Sequence, residues 1–281
     1  MMSAPDLQQV FSGLKQKSVK VNSYFPVYQS LFERYRNVPD LVFVEVGVMN
    51  GGSLVMWREF FGPKARIIGI DYSPTAELMR DKGFEIFIGD QGSTEFWEKF
   101  YREVGHVDVL LDDGGHTNKH QIITVESSLD HIKDGGMIVV EDTATSYLKQ
   151  WGNPSRYSFM NYAKLVADKI QSRSSLSQTP PNKFSAVCHG ISFYESMVAF
   201  SINRNLCINS SVVTAGTEEI AAVNFWNVDK RLVSHARVTA ARAFLRRVGL
   251  ERPVSAIYAW ANAAVGRFRF IVENRGLRKY F

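Results

Sequence analysis

Short apolar runs alternate with helical patterns through the first half of the chain. Residues 42–47 (VFVEVG), 66–71 (RIIGID), 84–88, 107–111 and 137–140 read as strands. Between them, 53–60, 75–81, 93–102 and 119–132 read as helices, the last closed by Asp134-Gly135-Gly136. Strands alternating with helices of this length predict βαβ units and a parallel sheet. The near-continuous apolar character of the strands fits a sheet covered on both faces.

The pattern then changes. A helix is expected over 158–171 and a polar loop after it. Two strands, 191–194 and 197–201, are separated only by Glu195-Ser196 and read as an antiparallel hairpin. Ahead of the sheet, 25–35 reads as a helix placed to lid a site. Past residue 215 the pattern is helical: Val233, Ala236, Ala240, Phe244 and Val248 share a spacing with Arg242, Arg246 and Arg247 interleaved. Three parts follow: a helical N-terminal lid (1–37), an α/β domain (38–205) and a basic, mostly helical extension (206–281).

Composition adds exclusions. The 281 residues are 45% hydrophobic and 22% charged, ordinary globular values that argue against a disordered or fibrous chain. Two cysteines, Cys188 and Cys207, exclude a disulfide framework and make a cysteine zinc site untenable. Reduced thiols imply a cytosolic type of compartment. The N-terminus lacks the apolar segment of a signal peptide, and no run of 18 apolar residues occurs. The expected location is the cytoplasm. The net charge of +5 is uneven, because 229–281 holds twelve Lys/Arg against three Asp/Glu and the rest is net acidic. The basic balance is therefore no argument for nucleic-acid binding by the domain. The tail has two readings: a peripheral contact of 229–281 with an anionic membrane on the cytoplasmic face, or packing on the domain or a second subunit.

The chemistry-bearing residues cluster at predicted strand ends, where open α/β sheets bind ligands. Glu45-Val-Gly47 opens a turn running through Gly51 to Ser53. Its glycines allow close backbone approach, and Ser53 is placed to cap the next helix. The spacing is neither GxGxxG nor a P-loop. Asp71 closes the second strand and is suited to accept ribose hydroxyls. Gly89-Asp90-Gln91 follows the third strand, with adenine recognition and loop ordering as its two readings. Asp112-Asp113-Gly-Gly-His116 ends the fourth strand, and Glu141-Asp142 the fifth. Four converging carboxylates repel one another unless protonated or countered by a cation. Such oxygen ligands suit Mg²⁺ or another hard divalent ion. His116 is suited to general-base work. His120 reads as a surface or supporting residue.

These motifs resemble class I S-adenosylmethionine-dependent methyltransferases. More narrowly, they resemble the metal-dependent macrolide-sugar O-methyltransferases of the mycinamicin and tylosin pathways and related glycan enzymes. The resemblance spans about residues 20–203. It rests on Tyr24-Phe-Pro-Val-Tyr28 with Phe32 and Arg36, Glu45-x-Gly47, Gly69-Ile-Asp71, Gly89-Asp-Gln91, Asp112-Asp-Gly-Gly-His116, Glu141-Asp142 with Tyr147, and Gly190-Ile-Ser-Phe-Tyr194. Gly115 stands where those relatives have Ser. The resemblance implies a Rossmann-like α/β sheet, mostly parallel with a C-terminal antiparallel hairpin. It implies S-adenosylmethionine and Mg²⁺ as cofactors and O-methylation of a sugar hydroxyl. Asp113, Glu141 and Asp142 become metal ligands. His116 becomes the base, with Asp113 beside it as a catalytic residue. Glu45, Gly47, Gly51, Ser53, Asp71, Asp90, Gln91 and Asp112 become cofactor-site residues. The acceptor is a small molecule or glycan with vicinal hydroxyls; nucleic acid is not expected, and a homo-oligomer is open. The rival readings are a cephalosporin-hydroxylase-like relative on this fold and a non-catalytic cofactor-binding protein.

Overall fold

The computed structural model describes residues 6–173, 180–208 and 215–217. The chain divides into two units, 1–212 and 213–281. The expected helices past residue 215 and the basic segment 229–281 lie outside the described residues.

Seven strands form one sheet: β1 (Val42–Val46), β2 (Arg66–Asp71), β3 (Glu85–Ile88), β4 (Val107–Asp112), β5 (Ile132–Val140), β6 (Cys188–Tyr194) and β7 (Met197–Ile202). Their order is β3-β2-β1-β4-β5-β7-β6. The first five pair in parallel, and β7 runs antiparallel to both β5 and β6. This is the predicted Rossmann-like sheet with its antiparallel hairpin. β1 is buried at all five positions, as its central place requires.

Alternate residues feed two cores, because successive side chains on a strand face opposite ways. Phe43, Val109, Leu111 and Val139 pack with α1 (Leu7–Ser12), α2 (Tyr24–Phe32) and α3 (Gly52–Phe61). Val44, Leu110, Ile138 and Val140 pack with α4 (Thr94–Val104), α5 (Asn118–Ser128), α6 (Phe159–Gln171) and α7 (Lys183–Val187). The first core is aromatic. Trp57 meets Tyr28 edge-on at 5.2 Å and Phe43 at 5.0 Å between ring centroids. Its α2 face (Tyr24, Phe25, Tyr28, Phe32) is buried, so this helix belongs to the wall of the domain.

Three local expectations are corrected. The segment expected as a short α-helix at 75–81 is a 3₁₀ helix, Pro74–Lys82. The helix expected to reach Ile132 ends at Ser128, and a 3₁₀ turn leads into β5. Asp134-Gly135-Gly136 lies inside β5 and does not close the helix. Gly136 is there because a Cβ would meet the Asp108 carbonyl oxygen of β4 at 2.3 Å. Ser53 is not a cap: α3 starts from Gly51 in a left-handed conformation, and the Ser53 hydroxyl is used elsewhere.

Candidate active site

A cavity of about 1020 Å³ opens at the carboxyl ends of β1–β5. Gly47, Asp71, Asp90, Asp113, His116 and Asp142 all line it. The sequence motifs therefore do converge, but their members divide into those that face the cavity and those that build its walls.

Gly47 sets the floor. Its φ is +93°, and a Cβ would sit 2.0 Å from the Asp113 carbonyl oxygen, so the β1 and β4 exits touch only because this residue is glycine. Asp71 Oδ2 accepts from the backbone N–H of Val48 (2.8 Å) and Met49 (3.0 Å), and Oδ1 from Ser73 N–H (2.8 Å). An ionised carboxylate has about four acceptor sites, so about one is left for a ligand hydroxyl. Asp90 Oδ1 accepts from Gly92 N–H at 2.7 Å and lies 3.7 Å from His120 Nε2. His120 lines the cavity and is not a surface residue. Its ring also explains Gly115. A Cβ there would meet His120 Nδ1 at 2.2 Å, so the serine of the resembling enzymes has no room.

Gln91 is buried and supports the loop after β4. Its amide donates to Asp112 Oδ1 (2.9 Å) and Thr124 Oγ1 (3.2 Å), while Oε1 accepts from Gly115 N–H (2.7 Å). Asp112 is buried behind it, and burial pushes its carboxyl above the usual range against these hydrogen bonds. Glu45 is buried on β1, accepting from Ser53 Oγ (2.7 Å) and Trp57 Nε1 (3.1 Å), and burial raises its carboxyl too. Gly51 shapes the start of α3, where a Cβ would strike Met79. Glu45, Gly51, Ser53 and Asp112 were expected to contact cofactor directly; none lines the cavity. The reason is strand alternation and burial. Their polar atoms are spent inside the walls.

The β4–β5 side concentrates charge. His116 Nε2 lies 3.4 Å from Asp142 Oδ2 and 3.9 Å from Asp113 Oδ1. His116 and Asp142 both sit in left-handed backbone, φ 51° and 53°. Such strain in non-glycine residues persists only where surroundings enforce it, and it gathers at functional sites. Here Thr145 Oγ1 donates to the His116 carbonyl (3.0 Å), and the Tyr24 hydroxyl to Asp142 Oδ1 (2.6 Å). Ligand atoms of Asp113, His116 and Asp142 all lie within 4.8 Å of one another. Two carboxylates and an imidazole facing a polar cavity fit one hard divalent ion. Glu141, expected as the third carboxylate ligand, is turned away. It is buried, receives the Tyr28 hydroxyl and pairs with Lys20.

Lys20 is the residue the sequence reading missed. Its ammonium lies 2.6 Å from Asp113, 3.2 Å from Glu141 and 3.6 Å from Glu45, with the side chain 2% exposed. Burial works to lower its pKa, but the acids outweigh that and hold it well above the ordinary value. The expected repulsion among the acids is thus countered in part by a cation of the chain itself. The available signal was spacing: Lys20, Tyr24 and Tyr28 recur every four residues, and all three contact the acids.

Comparison with known proteins agrees with this geometry. Residues 44–143 match a family described as a methyltransferase domain. The chain is 34% identical over 136 residues to the 8-demethyl-8-(2-methoxy-alpha-L-rhamnosyl)-tetracenomycin-C 3'-O-methyltransferase of Streptomyces olivaceus, covering 46% of this chain and 34% of that protein. It is 32% identical over 156 residues to the mycinamicin VI 2''-O-methyltransferase of Micromonospora griseorubida, covering 53% and 38%. The chain thus spans little more than a third of the length of these relatives. The MycE methyltransferase of the mycinamycin pathway, solved in complex with Mg and SAH, superposes with a TM-score of 0.65 at 27% identity, covering 72% of this chain and 56% of that one. The chain carries a methyltransferase domain at residues 44–143 on the class I S-adenosylmethionine-dependent methyltransferase fold.

Proposed function

We propose that the protein is an S-adenosylmethionine-dependent O-methyltransferase acting on a sugar hydroxyl of a glycosylated small molecule, assisted by a divalent ion. The observation that carries this is the meeting of Asp113, His116 and Asp142 at one end of a cavity whose other end holds Gly47 and Asp71. The relatives' names support it: they are O-methyltransferases of rhamnosyl-tetracenomycin and mycinamicin, and a MycE complex also holds mycinamycin VI. The same names favour methyl transfer over the hydroxylase-like and non-catalytic readings.

When bound, S-adenosylmethionine supplies the methyl group, and Mg²⁺ orients two neighbouring acceptor oxygens and makes a hydroxyl more acidic. The chain's residues do the rest. Asp71 offers its remaining acceptor site to a ribose hydroxyl. Asp90 and His120 line the cavity beyond it. Asp113 and Asp142 hold the ion. His116 takes the acceptor proton at Nε2, which faces those carboxylates, while Nδ1 is buried without a partner among the described residues. Fixing nucleophile against methyl in this way supplies much of the acceleration.

In this reading 38–205 is the catalytic domain and 1–37 its N-terminal wall. A glycan acceptor and a second subunit are finer readings. So is a membrane contact through 229–281, which liposome co-sedimentation unchanged by removal of that segment would sink. No helix among the described residues is long and apolar enough to cross a membrane. The direct test of the main proposal is calorimetric titration of S-adenosylmethionine with Mg²⁺ or EDTA, on wild type and Asp71→Ala. Binding by wild type that is weakened about tenfold or more in Asp71→Ala supports the cofactor assignment. Absence of binding in every condition overturns the methyltransferase reading.

A further inference from the structure

Lysine ammonium groups are almost never fully buried unless paired. Lys20 reaches three carboxylates carried by the neighbouring strands β1, β4 and β5. It comes from outside the matched domain, on a segment laid along the glycine turn. Gln16 donates to the Asn50 carbonyl, and a Cβ on Gly52 would meet the Lys17 carbonyl oxygen at 2.4 Å. Val19 of the same segment lines the cavity. Lys20 is therefore seated by backbone contacts on either side of the turn and is not a stray surface chain.

The acids it touches adjoin the candidate ion site. Glu45, Asp113, Glu141 and Asp142 with His116 make a group rich enough for two divalent ions, which in two-metal enzymes lie about 3.5–4 Å apart and share bridging carboxylates. Asp113 stands in the bridging place here. One oxygen, Oδ1, faces His116, and the other, Oδ2, faces Lys20. On one side of that carboxylate is the candidate ion site; on the other is an ammonium.

Resting on the reading that the site takes a divalent ion, we infer that Lys20 is a resident cation occupying the second-ion position, so that the cluster holds one divalent ion at Asp113, His116 and Asp142. A lysine in this place leaves the cluster short of positive charge by one ion's worth. The methyl-transfer chemistry proposed above asks for no second ion.

The test is Mn²⁺ titration of the full chain by calorimetry, with electron paramagnetic resonance of the loaded protein, on wild type, Lys20→Arg and Lys20→Met. Wild type and Lys20→Arg are expected to bind one Mn²⁺. Lys20→Met is expected to bind two and to give an exchange-coupled spectrum. Two ions in wild type, or one ion at wild-type affinity in Lys20→Met, would overturn the inference. No ion in any of the three would overturn it together with the divalent-ion reading. No ion in wild type but one in Lys20→Met would overturn the one-ion form and make Lys20 the sole cation. If Lys20→Met folds only with metal, thermal unfolding against Mn²⁺ decides. Stabilisation saturating at two equivalents supports the inference; saturation at one, or none, overturns it.

Discussion

The two ends of the cavity hold their acids by different means. At the β1–β3 end, Asp71 is fixed by three backbone N–H groups of Val48, Met49 and Ser73, all close by in the chain or across one βαβ unit. At the β4–β5 end, Asp113 and Asp142 are held by Lys20 and Tyr24, more than ninety residues away in sequence. Backbone donors carry only partial charge and leave an acceptor of ordinary character, suited to a hydroxyl. An ammonium and a phenol gathered around several carboxylates leave a field that still favours a cation. One end is local architecture; the other is assembled by topology.

The largest effect should come from the assembled end. His116→Ala should lower methyl transfer by about 10²–10⁴-fold, with S-adenosylmethionine affinity retained by calorimetry. Loss of both together would mean that the two ends are one site and the contrast is false. Next is the join between them. Gly47→Ala places a Cβ against the Asp113 backbone at φ +93° and should cost about 3 kcal/mol or more in urea unfolding. A smaller cost would show that the β1 and β4 exits can separate. Tyr24→Phe removes one hydrogen bond to a carboxylate, worth about 1.5–3 kcal/mol. It should weaken Mn²⁺ binding while leaving cofactor affinity in place, and the reverse outcome would blur the two ends.

The smallest effect is a control outside both. Glu85 at the sheet edge is paired twice with Arg66 at 2.7 Å, and that hydrogen bonding holds its carboxyl below the usual range. The pair is largely exposed, so Glu85→Gln should cost about 0.5 kcal/mol after screening. Because the folded pKa is the lower one, this stability is complete above the usual value of 4.5 and is lost as pH falls through the lowered value. Thermal unfolding of variant and wild type should therefore differ at pH 7 and converge in acid.

The same contrast explains what the sequence disclosed. Apolar runs placed five parallel strands and the hairpin, because a buried central strand such as Val42–Val46 has no polar face to disguise it. Gly47 and Asp71 were legible because turn and carboxylate partners are near neighbours. Asp113, His116 and Asp142 were legible as strand-end residues. Glu45 was visible as an acid inside an apolar strand, but its true partners, Ser53, Trp57 and Lys20, were not. Lys20 sits in KQKSVKV, which has the look of a solvated stretch. Only the seating of that segment against the glycine turn turns it inward. The αL torsions of His116 and Asp142 have no sequence signature either, since neither residue is glycine.

The distant origin of Lys20, Tyr24 and Tyr28 bears on how this domain can be transplanted. The stretch recognisable as a methyltransferase domain, 44–143, contains the acids but none of the three side chains that answer them. It also omits β6 and β7, the latter being the strand that covers the outer edge of β5. A chimera cut at the borders of recognisable similarity would inherit buried negative charge and an open sheet edge. The smallest heritable unit therefore begins ahead of Lys20 and runs through Ile202. A crossover between relatives within 21–43 would separate Lys20 from the acids it was selected with.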